Sequence, residues 1–411
     1  MMHLADMERE LARFDPDLPI ERAAMPPSSW YAAPEFFDLE KHGLFLRSWQ
    51  PVARVAQLDR PGAYVSGCLA GQPWVVVREA DGGLRAFHNV CRHKGREVVT
   101  GSGVADGALV CGYHAWSYGL DGRLKSAPRM AGVLDFDRDA MSLRPLRVEA
   151  WGHWVFVNGD AEAPPLAPRL GPLTAALERG GWGALRYHHT TAWDIHCNWK
   201  VYVDNYLDGG YHIPHMHPSL DAQLDMKSYR TELFDGFSVQ TSAPAAAPDG
   251  RRIDVDGDVD LDVDFNSLNS LNSLNSQARI GDGAIYAWLY PNFMLNRYGP
   301  CLDTNYVVPL GPDRCKVVYE FYFLETEGEA AERFMRASIA QSAVTQREDI
   351  EICESVSRGL GSPAYEPGRY APRVEHGEHQ FHKLLHADLR AALALARGQQ
   401  RLRAEGTLRA P

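Results

Sequence analysis

The chain has 411 residues, a length that favours two domains, and its 45% apolar and 10% aromatic content is that of an ordinary globular protein. A formal net charge of −11 argues against a nucleic-acid or anionic-membrane surface. No run of about 18 apolar residues offers a membrane span.

The N-terminus, MMHLADMERELARF, is charged and lacks the apolar stretch of a signal peptide, so a cytoplasmic location is expected. Residues 1–45 read as a segment that packs on the later domain. The seven cysteines are Cys68, Cys91, Cys111, Cys197, Cys301, Cys315 and Cys353. An odd number without a secretory signal reads as reduced thiols and metal ligands, not disulfides. Only Cys91 and Cys111 stand in a ligand pattern; the other five read as small core hydrophobes.

Residues 46–160 are rich in β-branched and aromatic residues broken by Gly, Pro and Asp. Gln72–Arg78 and residues 152–158 read as short strands, and Asp121 with Gly122 as a hairpin turn. That texture predicts a small all-β domain. Residues 160–172, rich in Pro and Ala, read as a linker. The remainder, 161–411, has strands near 285–290 and 315–324 and a helical pattern from 328 to 358, which makes the whole chain α+β. Within it, residues 254–264 alternate Asp with apolar residues and 267–275 repeat Ser-Leu-Asn three times. A calcium loop of the EF-hand kind needs Gly at its sixth place and Glu at its twelfth. From Asp254 those places hold Val259 and Phe265, so 252–276 is read as a mobile, solvated loop.

Two groups of residues carry metal chemistry. The first is Cys91-Arg-His93, then Cys111-Gly-Tyr-His114. Two Cys and two His could hold zinc, or a [2Fe–2S] cluster in which two His replace two Cys on one iron. Zinc usually pairs Cys with Cys and His with His at its spacings. Here each short motif supplies one of each, and Gly95, Gly112, Trp116 and Tyr118 in a β-rich setting agree better with the cluster. The second group is Asp204-Asn205-Tyr-Leu-Asp208-Gly-Gly-Tyr-His212-Ile-Pro-His215-Met-His217. His212 and His217 are five apart and would not share a face of a regular helix. Pro214 between them is expected to bend the backbone so that both imidazoles meet. Two His and one carboxylate leave open positions on Fe(II) for dioxygen. His215 reads as the non-ligand of the three. For the carboxylate, Asp349 falls with Ile352, Cys353 and Val356 on one helical face, opposite Arg347, Glu348, Glu351, Glu354 and Arg358. A carboxylate turned inward is costly unless it binds metal, forms a buried ion pair or caps a helix.

CRHKG, CGYHAWSYGLDGRL, NYLDGGYHIPHMH, YPNFMLNRYGP, DTNYVVPLGP and REDIEICESVSRGL together resemble the Rieske non-haem iron oxygenase family, most closely its choline monooxygenase-like branch. The likeness runs over nearly the whole chain. It implies a Rieske domain followed by a helix-grip domain, an antiparallel sheet with a long helix. It implies Cys91, His93, Cys111 and His114 as cluster ligands and His212, His217 and Asp349 as iron ligands. It also implies a trimer in which one subunit's cluster serves the neighbour's iron. A carboxylate three residues before the first iron-binding His often bridges the two centres in the family. Here that place is Gly209, so Asp208 or Asp204, with Asn205 beside them, are the candidates for the catalytic relay. Ala115 stands where Gly commonly follows the last cluster His.

The leading reading is an oxygenase that takes electrons from a reductase or ferredoxin and uses Fe(II) and O₂ on a small substrate. The chain has no Gly-rich nucleotide fingerprint, so NAD(P)H and flavin are assigned to the partner. The branch resemblance implies a quaternary ammonium substrate such as choline or betaine. Such a cation is held by aromatic faces, and Tyr286, Trp288, Tyr290 and Phe293 read as that wall or as ordinary core packing. An aromatic ring-hydroxylating oxygenase is the alternative enzyme. A Rieske electron carrier is the alternative of another class, although a carrier needs no second iron site.

Overall fold

The computed structural model describes residues 2–245 and 279–404. Residues 252–276, with the aspartate alternation and the Ser-Leu-Asn repeat, lie outside the described residues. The chain divides into two compact units, Glu40–Gly171 and a second made of Met1–Leu39 with Pro172–Pro411.

The smaller unit is all-β. Its strands are β1 (Gln50–Arg54), β2 (Ala63–Leu69), β3 (Gln72–Arg78), β4 (Leu84–His88), β5 (Ser102–Val104), β6 (Ala108–Val110), β7 (Ser117–Gly119), β8 (Leu124–Ser126), β9 (Pro145–Trp151) and β10 (Trp154–Asn158). Seven of them form one sheet in the order β1-β10-β9-β4-β3-β2-β5, and β6-β7-β8 form a small second sheet. Alternation along β3 builds two cores. Val75 and Val77 join a cluster with Cys91, Cys111, Trp116 and Tyr118, while Trp74 and Val76 join another on the opposite face. Asp121 and Gly122 do form the turn between β7 and β8, with Gly122 at φ +82°. The segment read as a linker is not bare coil: Leu166–Arg169 forms one helical turn, and Leu166 is buried.

The larger unit carries a seven-stranded antiparallel sheet: β11 (Arg186–Ile195), β12 (Arg230–Phe234), β13 (Phe237–Ser242), β14 (Ala284–Leu289), β15 (Phe293–Tyr298), β16 (Cys301–Gly311) and β17 (Arg314–Phe323), in the order β11-β17-β16-β15-β14-β13-β12. The helix Trp199–Leu207 packs on β16 and β17 and meets the long helix Glu329–Leu360. With the C-terminal helix His376–Ala404 this completes the helix-grip form of the α+β fold. Gly328 precedes the long helix, Glu329 and Glu332 sit in its positive first turn, and Gly361 closes it after Arg358.

That helix buries Ser338, Ser342, Gln346, Asp349 and Cys353 in one row. The row is largely polar because it faces the site described below. Two sequence expectations fail on this helix. Val356 is 45% exposed, since periodicity tells which row faces inward but not how far the partner surface extends. Glu348, placed with the solvated residues, turns to the site. Among the cysteines read as core, Cys68 is exposed. The N-terminal residues up to Leu39 belong to the larger unit, and the helix Leu4–Leu11 packs on the C-terminal helix. Among the described residues no helix is long and apolar enough to cross a membrane.

Candidate active site and metal centres

In the smaller unit the two ligand loops repeat one hydrogen-bond pattern. Gly95 N donates to Cys91 O at 2.9 Å, and Ala115 N donates to Cys111 O at 3.1 Å. Cys91 N donates to Arg96 O and Cys111 N to Trp116 O, both at 2.8 Å. Each loop therefore needs a left-handed residue at the same place, met by Gly95 at φ +76° and by Ala115 at φ +57°. The cysteines are 3% and 2% exposed, whereas His114 lies at the surface and His93 is half-buried. The two imidazoles stand 4.6 Å apart between ring centres. Trp116 stacks on His93 at 5.0 Å, and Tyr118 Oη contacts Cys91 Sγ at 3.3 Å. His93 Nδ1 is buried without a hydrogen-bond partner. An iron on that nitrogen would satisfy it, so the four side chains fit a [2Fe–2S] cluster of the Rieske kind.

In the larger unit three donor atoms converge. His212 Nε2 lies 3.0 Å from His217 Nε2, and Asp349 Oδ1 lies 3.1 Å from His217 Nε2 and 3.8 Å from His212 Nε2. The outer nitrogens fix the tautomers. His212 Nδ1–H donates to Asp208 Oδ2 and His217 Nδ1–H to Glu348 Oε2, each at 2.6 Å. Carboxylates only accept, so both Nε2 atoms present lone pairs. Two lone pairs and a carboxylate oxygen about 3 Å apart repel one another unless a cation lies between them. Cis ligands at about 2.1 Å from one ion stand about 3.0 Å apart, close to two of the three edges here. The residues fit a mononuclear ion.

The backbone reason differs from the sequence expectation. Pro214 does not bend the chain between the histidines; it sits in the first turn of the short helix Ile213–Met216, where its missing N–H costs nothing. The break falls at His217, φ −120° and ψ 66°, before a second turn, Pro218–Asp221. His215 is exposed and outside the converging group. Asn205 Nδ2 donates to Asp349 Oδ1 at 2.8 Å. Asp208 also accepts from the backbone N–H of Gly210, Tyr211 and His212. Asp204 points elsewhere, accepting from Tyr31 Oη at 2.8 Å and contacting His382 Nε2 at 3.1 Å. Gly209 cannot carry the family's bridging carboxylate. At φ +70°, a Cβ there would meet the Val374 carbonyl oxygen at 2.1 Å.

The converging atoms open on a cavity. Tyr202, Tyr206, Tyr229, Tyr286, Tyr298 and Tyr319 line it. Of the four aromatic residues singled out in the sequence only Tyr286 does. Trp288 is fully buried against Tyr290 and Phe381, Tyr290 Oη donates to Asp388, and Phe293 packs on Tyr306. Several tyrosine hydroxyls are held by protein: Tyr202 and Tyr319 both donate to Gln346 Oε1 at 2.6 Å, and Tyr229 to Gln240. Arg279 lies over the Tyr298 ring at 4.3 Å, paired with Asp303 at 3.2 Å and Ser342 at 2.7 Å. Burial pushes the Asp303 carboxyl up, against the pull of Arg279.

The comparisons with known proteins agree with this geometry. Residues 48–137 match the Rieske [2Fe-2S] domain, and residues 182–390 match the ring hydroxylating alpha subunit catalytic domain. The chain is 40% identical to the chloroplastic choline monooxygenase of Arabidopsis thaliana, over 94% of this chain and 88% of that one. It belongs to the Rieske non-haem iron oxygenase family. It is also 29% identical to the carnitine monooxygenase oxygenase subunit of Escherichia coli, over 91% and 98% of the two chains. The structure of the quaternary ammonium Rieske monooxygenase CntA superposes with a TM-score of 0.74 at 27% identity, covering 93% of this chain and 98% of that one. As a Rieske oxygenase the chain is an oxidoreductase, the terminal component that receives electrons from a reductase or ferredoxin and acts with O₂ on a small substrate. Bound there, the cluster supplies single electrons and the iron binds and reduces dioxygen.

One residue at the iron position, Glu348, escaped the sequence reading. Glu348 was missed because its neighbour Asp349 was taken to mark the whole inward face. Beyond Tyr286, most of the tyrosine lining was missed because its members come from one helix, three strands and a loop, with no local pattern.

Proposed function

We propose that this oxygenase acts on a small quaternary ammonium compound of the choline or betaine class, by C–H hydroxylation or demethylation beside the nitrogen. In this reading Cys91, His93, Cys111 and His114 hold the cluster, and His212, His217 and Asp349 hold the iron. The cavity lined by tyrosines carries the proposal. A methylated ammonium donates no strong hydrogen bond and is held by aromatic faces through cation–π attraction. Hydroxyls tied to Gln346 and Gln240 keep the rings in place. Arg279 on Tyr298 shows a cation already seated on one of these faces. The names of the relatives, choline and carnitine monooxygenases, support the same class.

The residues divide the work. The tyrosine faces orient the ammonium so that a methyl or methylene group points at the open iron positions. Asp208 and Glu348 hold the two imidazoles in the metal-binding tautomer, and Asn205 holds the Asp349 oxygen. A homotrimer, with Asp208 on the electron path between subunits, completes the proposal. The test is product formation by reductase-coupled enzyme with choline, glycine betaine and carnitine against benzoate-like compounds. Oxygenated quaternary amines, lost in Tyr286→Ala, are expected. Product from aromatic acids alone would transfer the chain to the ring-hydroxylating class. About three irons per subunit are expected, against about two for an electron carrier.

A further inference from the structure

One turn before Asp208, on the same helix, the Asp204 side chain faces the C-terminal helix. That helix presents Glu378 and His382 four residues apart, on one face. The carboxylate oxygens of Asp204 and Glu378 and the His382 nitrogen lie within 4.8 Å of one another. Tyr31 Oη reaches both Asp204 Oδ2 at 2.8 Å and His382 Nε2 at 2.9 Å. On the other side of the ring, Tyr370 Oη meets His382 Nδ1 at 2.7 Å. A hydrogen bond at Nδ1 leaves Nε2 as the atom turned toward the carboxylates, the arrangement by which metal-binding histidines are oriented.

Glu378 is the anomaly. It is 6% exposed, and among the described residues nothing donates a hydrogen bond to its carboxylate. Burial, followed by the charges of Asp204, Glu375 and Asp208, drives its pKa well up. The charges acting on it are all carboxylates. Buried carboxylates are normally paired or bound to metal. We propose that Asp204, Glu378 and His382 form a second cation site, separate from the iron position, that takes a first-row divalent ion such as Mn²⁺ or Zn²⁺. Two carboxylates balance the double charge, and an oxygen–oxygen–nitrogen set suits these ions. Tyr31, Tyr365, Tyr370 and Glu375 are further neighbours of the group. The ion would brace the Trp199–Leu207 helix, which leads into the iron-binding turn, against the C-terminal helix.

The competing account is a proton held by Glu378 in place of a metal. Chelator-washed enzyme, with cluster and iron sites filled, is titrated with Mn²⁺, and retained metal is counted after gel filtration. The site predicts one further Mn²⁺ per subunit and a higher Tm with Mn²⁺ than without. Glu378→Gln, which changes charge and not shape, should weaken that binding at least tenfold and cancel the Tm shift. Pulsed EPR of the wild-type complex gives a second measurement that depends on no variant. One coupled imidazole nitrogen ligand supports the site, whereas two would place the ion at His212 and His217. No retained Mn²⁺, two coupled imidazoles, or equal binding by Glu378→Gln overturns the proposal and leaves the proton.

Discussion

Replacing Glu348 by Gln isolates the orientation of one iron-binding imidazole. Glu348 Oε2 accepts from His217 Nδ1 at 2.6 Å, and the His217 side chain is 2% exposed. Among the described residues no other group bonds His217 Nδ1 and so fixes which nitrogen faces Asp349. The Gln amide oxygen can still accept that N–H, but the charge-assisted bond, roughly twice as strong as a neutral one, is lost. Removing a carboxylate partner of a metal-binding His typically weakens metal binding about 10- to 100-fold, or about 1.4 to 2.7 kcal/mol. Fe²⁺ affinity, measured anaerobically in a chelator-buffered series, should fall by that factor. Oxygenation should fall with it at limiting iron and recover at excess iron. The cluster spectrum should not change, because Cys91 and Cys111 belong to the other unit. Glu351→Gln, on an exposed position of the same helix, is the control and should stay within about twofold of wild type. An affinity for Glu348→Gln indistinguishable from that control would refute the argument that Glu348 orients His217.

Ala115→Gly should stabilise the smaller unit by about 0.5 to 1 kcal/mol, because Ala115 sits at φ +57° where a Cβ is penalised more than glycine's added chain entropy costs. A higher urea midpoint at unchanged slope checks it. Gly209→Asp, which would restore the family's bridging carboxylate, should instead destabilise the larger unit by at least about 3 kcal/mol, since its Cβ meets the Val374 carbonyl oxygen. A wild-type midpoint would show that this backbone yields. Asp208→Asn should weaken Fe²⁺ binding as Glu348→Gln does, because Asp208 accepts from His212 Nδ1. With iron restored to saturation it should still slow single-turnover oxidation of the cluster by O₂ and substrate, and wild-type kinetics at saturating iron would remove Asp208 from the electron path.

The proposed ligands of both metal positions could be picked out because their side chains are close in sequence or share a helical phase. The loop around Cys91 and His93 repeats around Cys111 and His114, and the spacing shows the repeat, while the β-rich setting with Gly95, Gly112, Trp116 and Tyr118 favours a cluster over zinc. His212 and His217 needed only a break between them, and the structure supplies it at His217 and Pro218 instead of at Pro214. The substrate wall was read poorly for a matching reason. Alternation puts Tyr286 and Trp288 on one face of β14, but it cannot say where along that face the cavity ends and the C-terminal helix begins. Trp288 falls under Phe381 of that helix, and Tyr286 falls in the cavity. The rest of the lining joins Tyr202 and Tyr206 from one helix to Tyr298 and Tyr319 from two strands, a grouping that only the fold creates.

The two centres use burial in opposite ways, and the difference follows from what each must do. At the cluster the cysteines are covered by Trp116 and Tyr118 while His114 stands at the surface. A cluster held by these four residues would supply its electron most readily on the His114 side, which is the exposed one. At the iron position His217 and Asp349 are buried, and Asp208, Glu348 and Asn205 hold the ligand atoms from behind. An ion held there would have its remaining positions toward the tyrosine-lined cavity, where the substrate would lie. Exposure at the electron donor and enclosure at the oxygen site are complementary demands, and each is met by which residues flank the ligands, not by the ligands themselves. For that reason the motifs point to the candidate ligands, while Glu348 and Asp208 set the imidazole tautomers and the tyrosines shape the cavity beside them.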